Sequence, residues 1–206
     1  TGIDFVDHQD EQPDLALDRQ GLWLHNLVWS TLDASAMTEL YWWTGNIMNQ
    51  PGPDGEAGLY EIYGAFYNFV HTLPLNNGHY QDAQAQASDP NLRVVGQKDL
   101  FYQNAHLWLQ NRGDTWRAAV DGVDVAPITS TVTITGFQPG QDYLLQWWDT
   151  TINDPAHQIT KSETITALPN GDLALVVDGL VGDAAVKIAS TVKSPPVSVY
   201  LPTVYR

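Results

Sequence analysis

The chain has 206 residues, of which 43% are hydrophobic, a size and composition that allow a globular protein with a sizeable core. Its 24 acidic and 9 basic residues give a formal net charge of −15. Such a surface repels phosphate backbones and anionic lipids, so we expect neither a nucleic acid nor a membrane as partner, and an uncharged partner suits it better. Because the chain has no cysteine, disulfides, thiolate metal sites and cysteine nucleophiles are excluded.

Two helices with broad apolar faces are predicted in the first 75 residues. Asp18 is a suitable N-cap for a helix over 19–33, where leucine, valine and tryptophan recur at helical spacing. The segment MTELYWW (37–43) is predicted to be a strand, and a second helix is predicted over 59–73. One strand cannot cover two such helices, so residues 1–75 are predicted to belong to a larger α/β sheet.

The rest of the chain is predicted to be a β-sandwich that follows a linker. Residues 76–92 are polar and rich in turn-forming residues, which indicates the linker. Over 93–190 the hydrophobic period changes to two, and short alternating segments between turns predict antiparallel strands. The predicted strands are LRVVGQ, AHLWLQN, TVTITG, DYLLQWWDT, ITKSETITA, LALVV and AAVKIAS. Three prolines in 191–206 predict an extended tail.

The order of these motifs carries a resemblance to a known superfamily. GLWLHNLVWSTL followed by MTELYWW resembles the C-terminal part of retaining (β/α)8-barrel glycoside hydrolases of the cellulase and mannanase type, where a helix with a LHN-type motif precedes an eighth strand ending in tryptophans. AHLWLQNRGDTWRAAVDG and GQDYLLQWWDTTIND look like the all-β domain that often follows such barrels. The resemblance, which spans about residues 1–190, implies an α+β chain: the end of a barrel in 1–75 and an accessory antiparallel β-sandwich in 93–190.

The resemblance also implies where catalysis takes place. These enzymes use an acid/base glutamate and a nucleophilic glutamate about 5 Å apart. Thr1 and Gly2 correspond to positions just past the nucleophile, so both glutamates are expected outside this chain and no catalytic residue is assigned. The expected partners are a poly- or oligosaccharide and either the missing N-terminal part of the barrel or a second copy of the chain. No cofactor is implied, and whether the isolated chain is an enzyme stays open.

The aromatic run Tyr41, Trp42 and Trp43 is the candidate substrate-binding site that the resemblance implies. It lies at the C-terminal end of the predicted eighth strand, the face where barrel enzymes build their sites. Neighbouring side chains on a strand point to opposite faces, so one ring is expected to pack and the other, Trp43, to face sugar. The alternative is that both rings pack between sheet and helices.

Three polar residues near this run are interpreted as hydrogen-bonding residues behind the cleft, namely His25, Asn26 and Glu39. If the chain were a small hydrolase in its own right, Glu39 and Asp7 would be the acids to test. The cluster Asp4, Asp7, His8, Asp10 and Glu11 lacks an established metal-ligand spacing and is interpreted as a solvated loop, so no metal site is predicted.

A different class of function is a non-catalytic carbohydrate-binding or scaffold module. Rows of tryptophans on a sandwich face are typical of such modules, and Trp108, Trp116, Trp147 and Trp148 are the candidates. Trp108 and Trp147 alternate with apolar neighbours, which favours packing in the core. The turn at 114–117 is interpreted as an anchor of the sandwich on the barrel. The tail looks like those of exported bacterial proteins, so we expect a secreted protein.

Overall fold

A computed structural model of the chain describes residues 17–33, 58–101 and 103–192. In these ranges the protein is a mixed α+β chain with mostly antiparallel β-structure and few helices. The predicted strand at 37–43 and residues 193–206 of the predicted tail lie outside the described residues. None of the helices in the described part is long and apolar enough to cross a lipid bilayer.

The described residues form three α-helices and nine strands. The helices are α1 (Leu22–Ser30), α2 (Glu61–Val70) and α3 (Trp116–Asp121), with 3-10 turns at Gly58–Tyr60 and Leu75–Asn77. The strands are β1 (Tyr80–Asp82), β2 (Gln86–Ala87), β3 (Leu92–Asp99), β4 (Ala105–Asn111), β5 (Ile128–Ile134), β6 (Asp142–Trp148), β7 (Ile159–Thr166), β8 (Leu173–Leu180) and β9 (Asp183–Ser190).

All strand pairings are antiparallel. One sheet has six strands in the order β1-β3-β4-β9-β6-β7, and the other has three in the order β2-β5-β8. The seven strands predicted from the period of two are confirmed as β3 to β9. The segment 76–92, predicted to be a linker, contains β1 and β2, which form one edge of each sheet.

The two sheets enclose a shared hydrophobic core, an arrangement compatible with a β-sandwich. Strand β5 alternates buried and exposed residues, as expected when one face of a sheet packs and the other meets solvent. The largest fully buried members of this core are Leu107, Leu109, Ile134, Tyr143, Leu145, Leu173 and Leu175.

Helices α1 and α2 pack on the opposite face of the six-stranded sheet. There the indole of Trp29 in α1, the ring of Phe69 in α2 and the indole of Trp108 in β4 belong to one buried cluster. Because this cluster covers the second face of the sheet, all seven residues of β4 are buried. The barrel end predicted for 1–75 is not confirmed by the described residues and stays a prediction.

The start of α1 is held by a carboxylate that precedes it. The N-cap position is Gly21, which adopts the left-handed conformation (φ 69°), and a Cβ there would lie 2.7 Å from Cδ2 of Leu59. Asp18, predicted as the N-cap, accepts hydrogen bonds from the backbone N–H of Leu22 (3.1 Å) and Trp23 (2.8 Å). It therefore satisfies two of the N–H groups that a helix leaves unpaired at this end.

Candidate functional site

A cleft of about 410 Å³ opens where the first turns of α1 and α2 face the loops of the six-stranded sheet. One wall consists of Gln20, which precedes α1, together with Leu22 and His25 of α1 and Glu61 and Ile62 of α2. The opposite wall consists of Asp114, Asp149, Thr150, Thr151, Gly182 and Asp183. Its volume falls in the range of about 300–1,000 Å³ that small-molecule sites occupy.

The carboxylate of Asp183 joins three parts of the fold at this cleft. Its Oδ2 accepts hydrogen bonds from Nε2 of His25 in α1 (2.8 Å) and from Nε1 of Trp108 in β4. Its Oδ1 accepts from Oγ1 of Thr150 at 2.7 Å. The side chains of His25 and Asp183 are both 7% exposed. A carboxylate buried in this way is stabilised by its three donors.

The pairing with Asp183 also fixes the orientation of the His25 ring. An ionised carboxylate only accepts hydrogen bonds, so Nε2 of His25 carries the hydrogen. Its other ring nitrogen, Nδ1, makes no hydrogen bond within the described part of the chain. His25, which is only 5% exposed, thus lines the cleft while its ring is paired with Asp183.

Asp114 is a second acidic residue on this wall of the cleft. Its backbone carbonyl accepts hydrogen bonds from Nδ2 of Asn26 (3.4 Å) and Nε2 of Gln110 (3.4 Å). Its carboxylate makes no hydrogen bond within the described part of the chain. Burial raises the pKa of Asp114, the nearby charge of Asp183 raises it further, and His25 opposes the shift. The carboxylate therefore lacks the stabilising partner that Asp183 has.

The predicted site residues divide into two groups. Tyr41, Trp42, Trp43 and Glu39 lie outside the described residues, so their predicted roles stay predictions. His25 and Asn26 are described, and both connect α1 to the β-rich part through Asp183 and Asp114. The segment 114–117, predicted to be a turn, contains the start of α3, which Thr115 caps by accepting from the N–H of Ala118 (3.1 Å). Its predicted role as an anchor on the barrel stays a prediction.

Sequence reasoning missed Asp183 and Thr150 and did not assign a ligand role to Asp114. Asp183 is 158 residues from His25 in the chain, and no motif or spacing connects the two. Asp183 stands in the predicted turn just before the predicted strand AAVKIAS, whereas the observed strand β9 begins at Asp183 itself. Only the packing of α1 on β9 brings these groups together.

The described tryptophans of the β-rich part form no exposed row. Trp108 is fully buried, which confirms its predicted place in a core, and Trp148 is 8% exposed. Trp147 is half-buried and donates from Nε1 to Oε1 of Glu163 at 2.7 Å. Trp116 is also half-buried and lies beside the guanidinium of Arg117. The indoles thus pack rather than offer a flat surface to a glycan.

Over residues 17–33, 58–101 and 103–192, no group of three or more histidine and acidic side chains is arranged to hold a metal ion. No family model matches the chain, and no curated protein is significantly similar to it in sequence.

Proposed function

We propose that this chain is the C-terminal portion of a secreted glycoside hydrolase that acts on poly- or oligosaccharides. In this proposal the segment with Tyr41, Trp42 and Trp43 contributes aromatic rings to the substrate cleft. The two catalytic glutamates belong to the rest of the enzyme. The β-rich part is an accessory unit that holds the last two barrel helices in place.

The observation that carries the proposal is the packing of α1 and α2 on one face of the six-stranded sheet. These helices immediately flank the segment with the aromatic run, and the motifs of that region carry the resemblance to barrel glycosidases. Trp29 and Phe69 have ring centroids 5.3 Å apart, and Phe69 packs edge-on against Trp148 with centroids 5.5 Å apart. Such aromatic contacts fix both ends of the intervening segment relative to the β-rich part.

The proposed chemistry is double displacement at an anomeric carbon. One glutamate attacks this carbon to form a glycosyl-enzyme, while the other protonates the leaving oxygen and later activates water. The residues of this chain bind and orient the sugar without reacting. An indole held by a rigid support stacks on the apolar face of a pyranose and excludes water from the site.

The test uses the chain joined to the polypeptide encoded upstream of it, assayed for release of reducing sugar from cellulose, mannan and xylan. We expect release from one of them, and a fall of kcat/KM by about tenfold or more in Trp43→Ala, since a stacking contact is lost. The matched control is Trp147→Ala, a half-buried indole outside the cleft, with kcat/KM near that of the parent. Absence of sugar release from all three substrates would refute the proposal.

The alternative of a non-catalytic carbohydrate-binding module needs exposed tryptophans. Trp108 and Trp148 are buried, which leaves the half-buried Trp116 and Trp147 and the aromatic run at 41–43 as its candidates. Retardation of the chain in gels that contain each polysaccharide, without sugar release by the joined enzyme, would favour it over the hydrolase.

A further inference from the structure

We infer that acid opens helix α2 from the six-stranded sheet by protonating a histidine that is buried beneath it. This histidine is His106 of β4, and its side chain is fully buried. Neither ring nitrogen of His106 has a hydrogen-bond partner in the part of the chain that the structure describes. Buried polar groups are normally paired, whereas a proton added to this ring finds no acceptor among those residues. Opening depends on these contacts and not on any catalytic activity.

Two aromatic rings from different elements cover the imidazole of His106. The ring of Phe69 in α2 meets it edge-on, with centroids 6.5 Å apart, and the ring of Tyr80 in β1 lies at 5.3 Å. In β3 the register partner of His106 is Gln97, which carries no charge. Because a charged group is costly to bury without a partner, an imidazolium at this position favours any movement that admits water.

A cation lies directly opposite His106 and contacts the end of α2. Lys187 of β9 is the register partner of His106. Its Nζ donates to Oγ1 of Thr72 at 2.9 Å, just beyond the last residue of α2. The same ammonium lies 4.8 Å from the ring centre of Phe69 and 4.0 Å from that of Trp148. Protonation of His106 therefore places two positive charges opposite each other under α2, an arrangement that destabilises a strand pair.

The other titratable groups on this side of the sheet do not pair with the imidazole. Asp99 of β3 is the register partner of Tyr80. Its Oδ2 accepts from Nδ2 of Asn77 and its Oδ1 from the backbone N–H of Phe101, both at 2.8 Å. Burial, and then the charge of Asp99, raise the pKa of Tyr80 to about 12, so its hydroxyl stays neutral while His106 titrates.

The two states of α2 differ in how readily His106 takes up a proton. With α2 closed, burial and then the charge of Lys187 lower the pKa of His106 from 6.5 to about 4. With α2 open, water reaches the ring and its pKa returns toward 6.5. Below this pH the open state binds more protons than the closed state, so acid shifts the equilibrium toward opening. Between pH 7 and pH 4 the two values imply an increase of the opening equilibrium constant by about a hundredfold.

The test is amide hydrogen exchange of the full chain, followed by NMR from pH 7 to pH 4. After correction for the intrinsic pH dependence of exchange, protection in Glu61–Val70 should fall by about a hundredfold, and protection in β5 and β8 by less than about tenfold. Those two strands form the other sheet, away from the imidazole. A fall of equal size in α2, β5 and β8 would overturn the inference, because acid would then act on the whole fold.

Four variants separate the imidazole from the many carboxylates that also titrate in acid. His106→Phe should abolish the selective fall in α2, whereas the matched control His157→Phe, at a position that is 77% exposed, should keep it. Lys187→Met should reduce the fall, since no neighbouring charge then opposes protonation, and Lys187→Arg should preserve it. An undiminished fall in His106→Phe would attribute the opening to other groups and overturn the inference.

An NMR titration of the parent protein gives a second readout that does not depend on the folding of a variant. The ring of His106 should ionise near pH 4, and the amide signals of α2 should change with the same midpoint. Ionisation near 6.5 with unchanged amide signals in α2 would show that the ring takes up its proton without opening, which contradicts the inference. Neither result affects sugar release by the joined enzyme.

Discussion

At the scale of single residues, His106 is the least satisfied side chain of the helix-covered sheet face. It is fully buried on β4, and neither ring nitrogen has a hydrogen-bond partner. Burial, and then the positive charge of Lys187, lower the pKa of His106 from 6.5 to about 4. The folded protein therefore keeps this ring neutral at a pH where the unfolded chain protonates it.

This shift predicts a loss of stability at acidic pH. Below 6.5 the unfolded state binds a proton that the folded state does not, so the free energy of unfolding falls as the pH decreases toward 4. The free energy of unfolding is expected to fall by about 3 kcal/mol over this range, because a pKa difference of one between the folded and unfolded states corresponds to about 1.36 kcal/mol. Urea unfolding across this range measures it. His106→Phe should remove this part of the pH dependence, whereas His157→Phe, at an exposed position, should keep it. Parallel pH profiles for the parent and His106→Phe would contradict the prediction.

At the scale of elements, Phe69 connects helix α2 to both of its neighbours. Its ring is fully buried and contacts Trp29 of α1 and Trp148 of β6. We expect Phe69→Ala to lower the free energy of unfolding by about 3–5 kcal/mol, since a large buried ring is lost and a cavity remains. Hydrogen exchange should rise first in Leu22–Ser30 and Glu61–Val70 and less in β5 and β8.

The matched control lies two residues earlier in the same helix. Tyr67 is 62% exposed, so Tyr67→Ala should change stability by less than about 0.5 kcal/mol. If hydrogen exchange in Phe69→Ala rose by the same factor in the helices as in the strands, the helices would not open separately from the sheets.

Strands could be predicted from the sequence because their residues alternate. Strand β8 alternates buried and exposed residues over most of its length, and its boundaries follow from the turns around it. Strand β2 has two residues and α3 has six, too few to show a period, and both were missed. The burial of β4 on both faces could not be predicted, because it depends on helices that precede it by many residues.

The candidate site was harder to predict than the fold for the same reason. His25 and Asn26 could be selected because they stand among apolar residues of a predicted helix. Their partners Asp183 and Asp114 belong to a strand start and a loop that only tertiary packing brings to α1. A pattern of a few residues reports which face of an element is buried and does not report what covers it.

At the scale of the whole molecule, two hydrophobic cores lie on opposite faces of the same six-stranded sheet. Leu107 and Leu109 of β4 belong to the core between the sheets, while Trp108, between them in sequence, belongs to the core under the helices. Neighbouring residues of one strand thus contribute to both cores. If either core unfolds, one face of β4 becomes exposed to solvent. The other core, which packs on the opposite face of β4, is then destabilised.

This arrangement predicts that helices and sheets unfold together. Unfolding of the helix-covered core changes the fluorescence of its tryptophans Trp29, Trp108 and Trp148. Unfolding of the sheets changes the far-UV circular dichroism signal. In urea the two signals should give one coincident transition, whereas in Phe69→Ala the fluorescence transition should come first. Two separate transitions in the parent protein would instead support independent domains divided at the segment 76–92. The shared sheet would then be too weak a connection to couple the helices to the β-rich part.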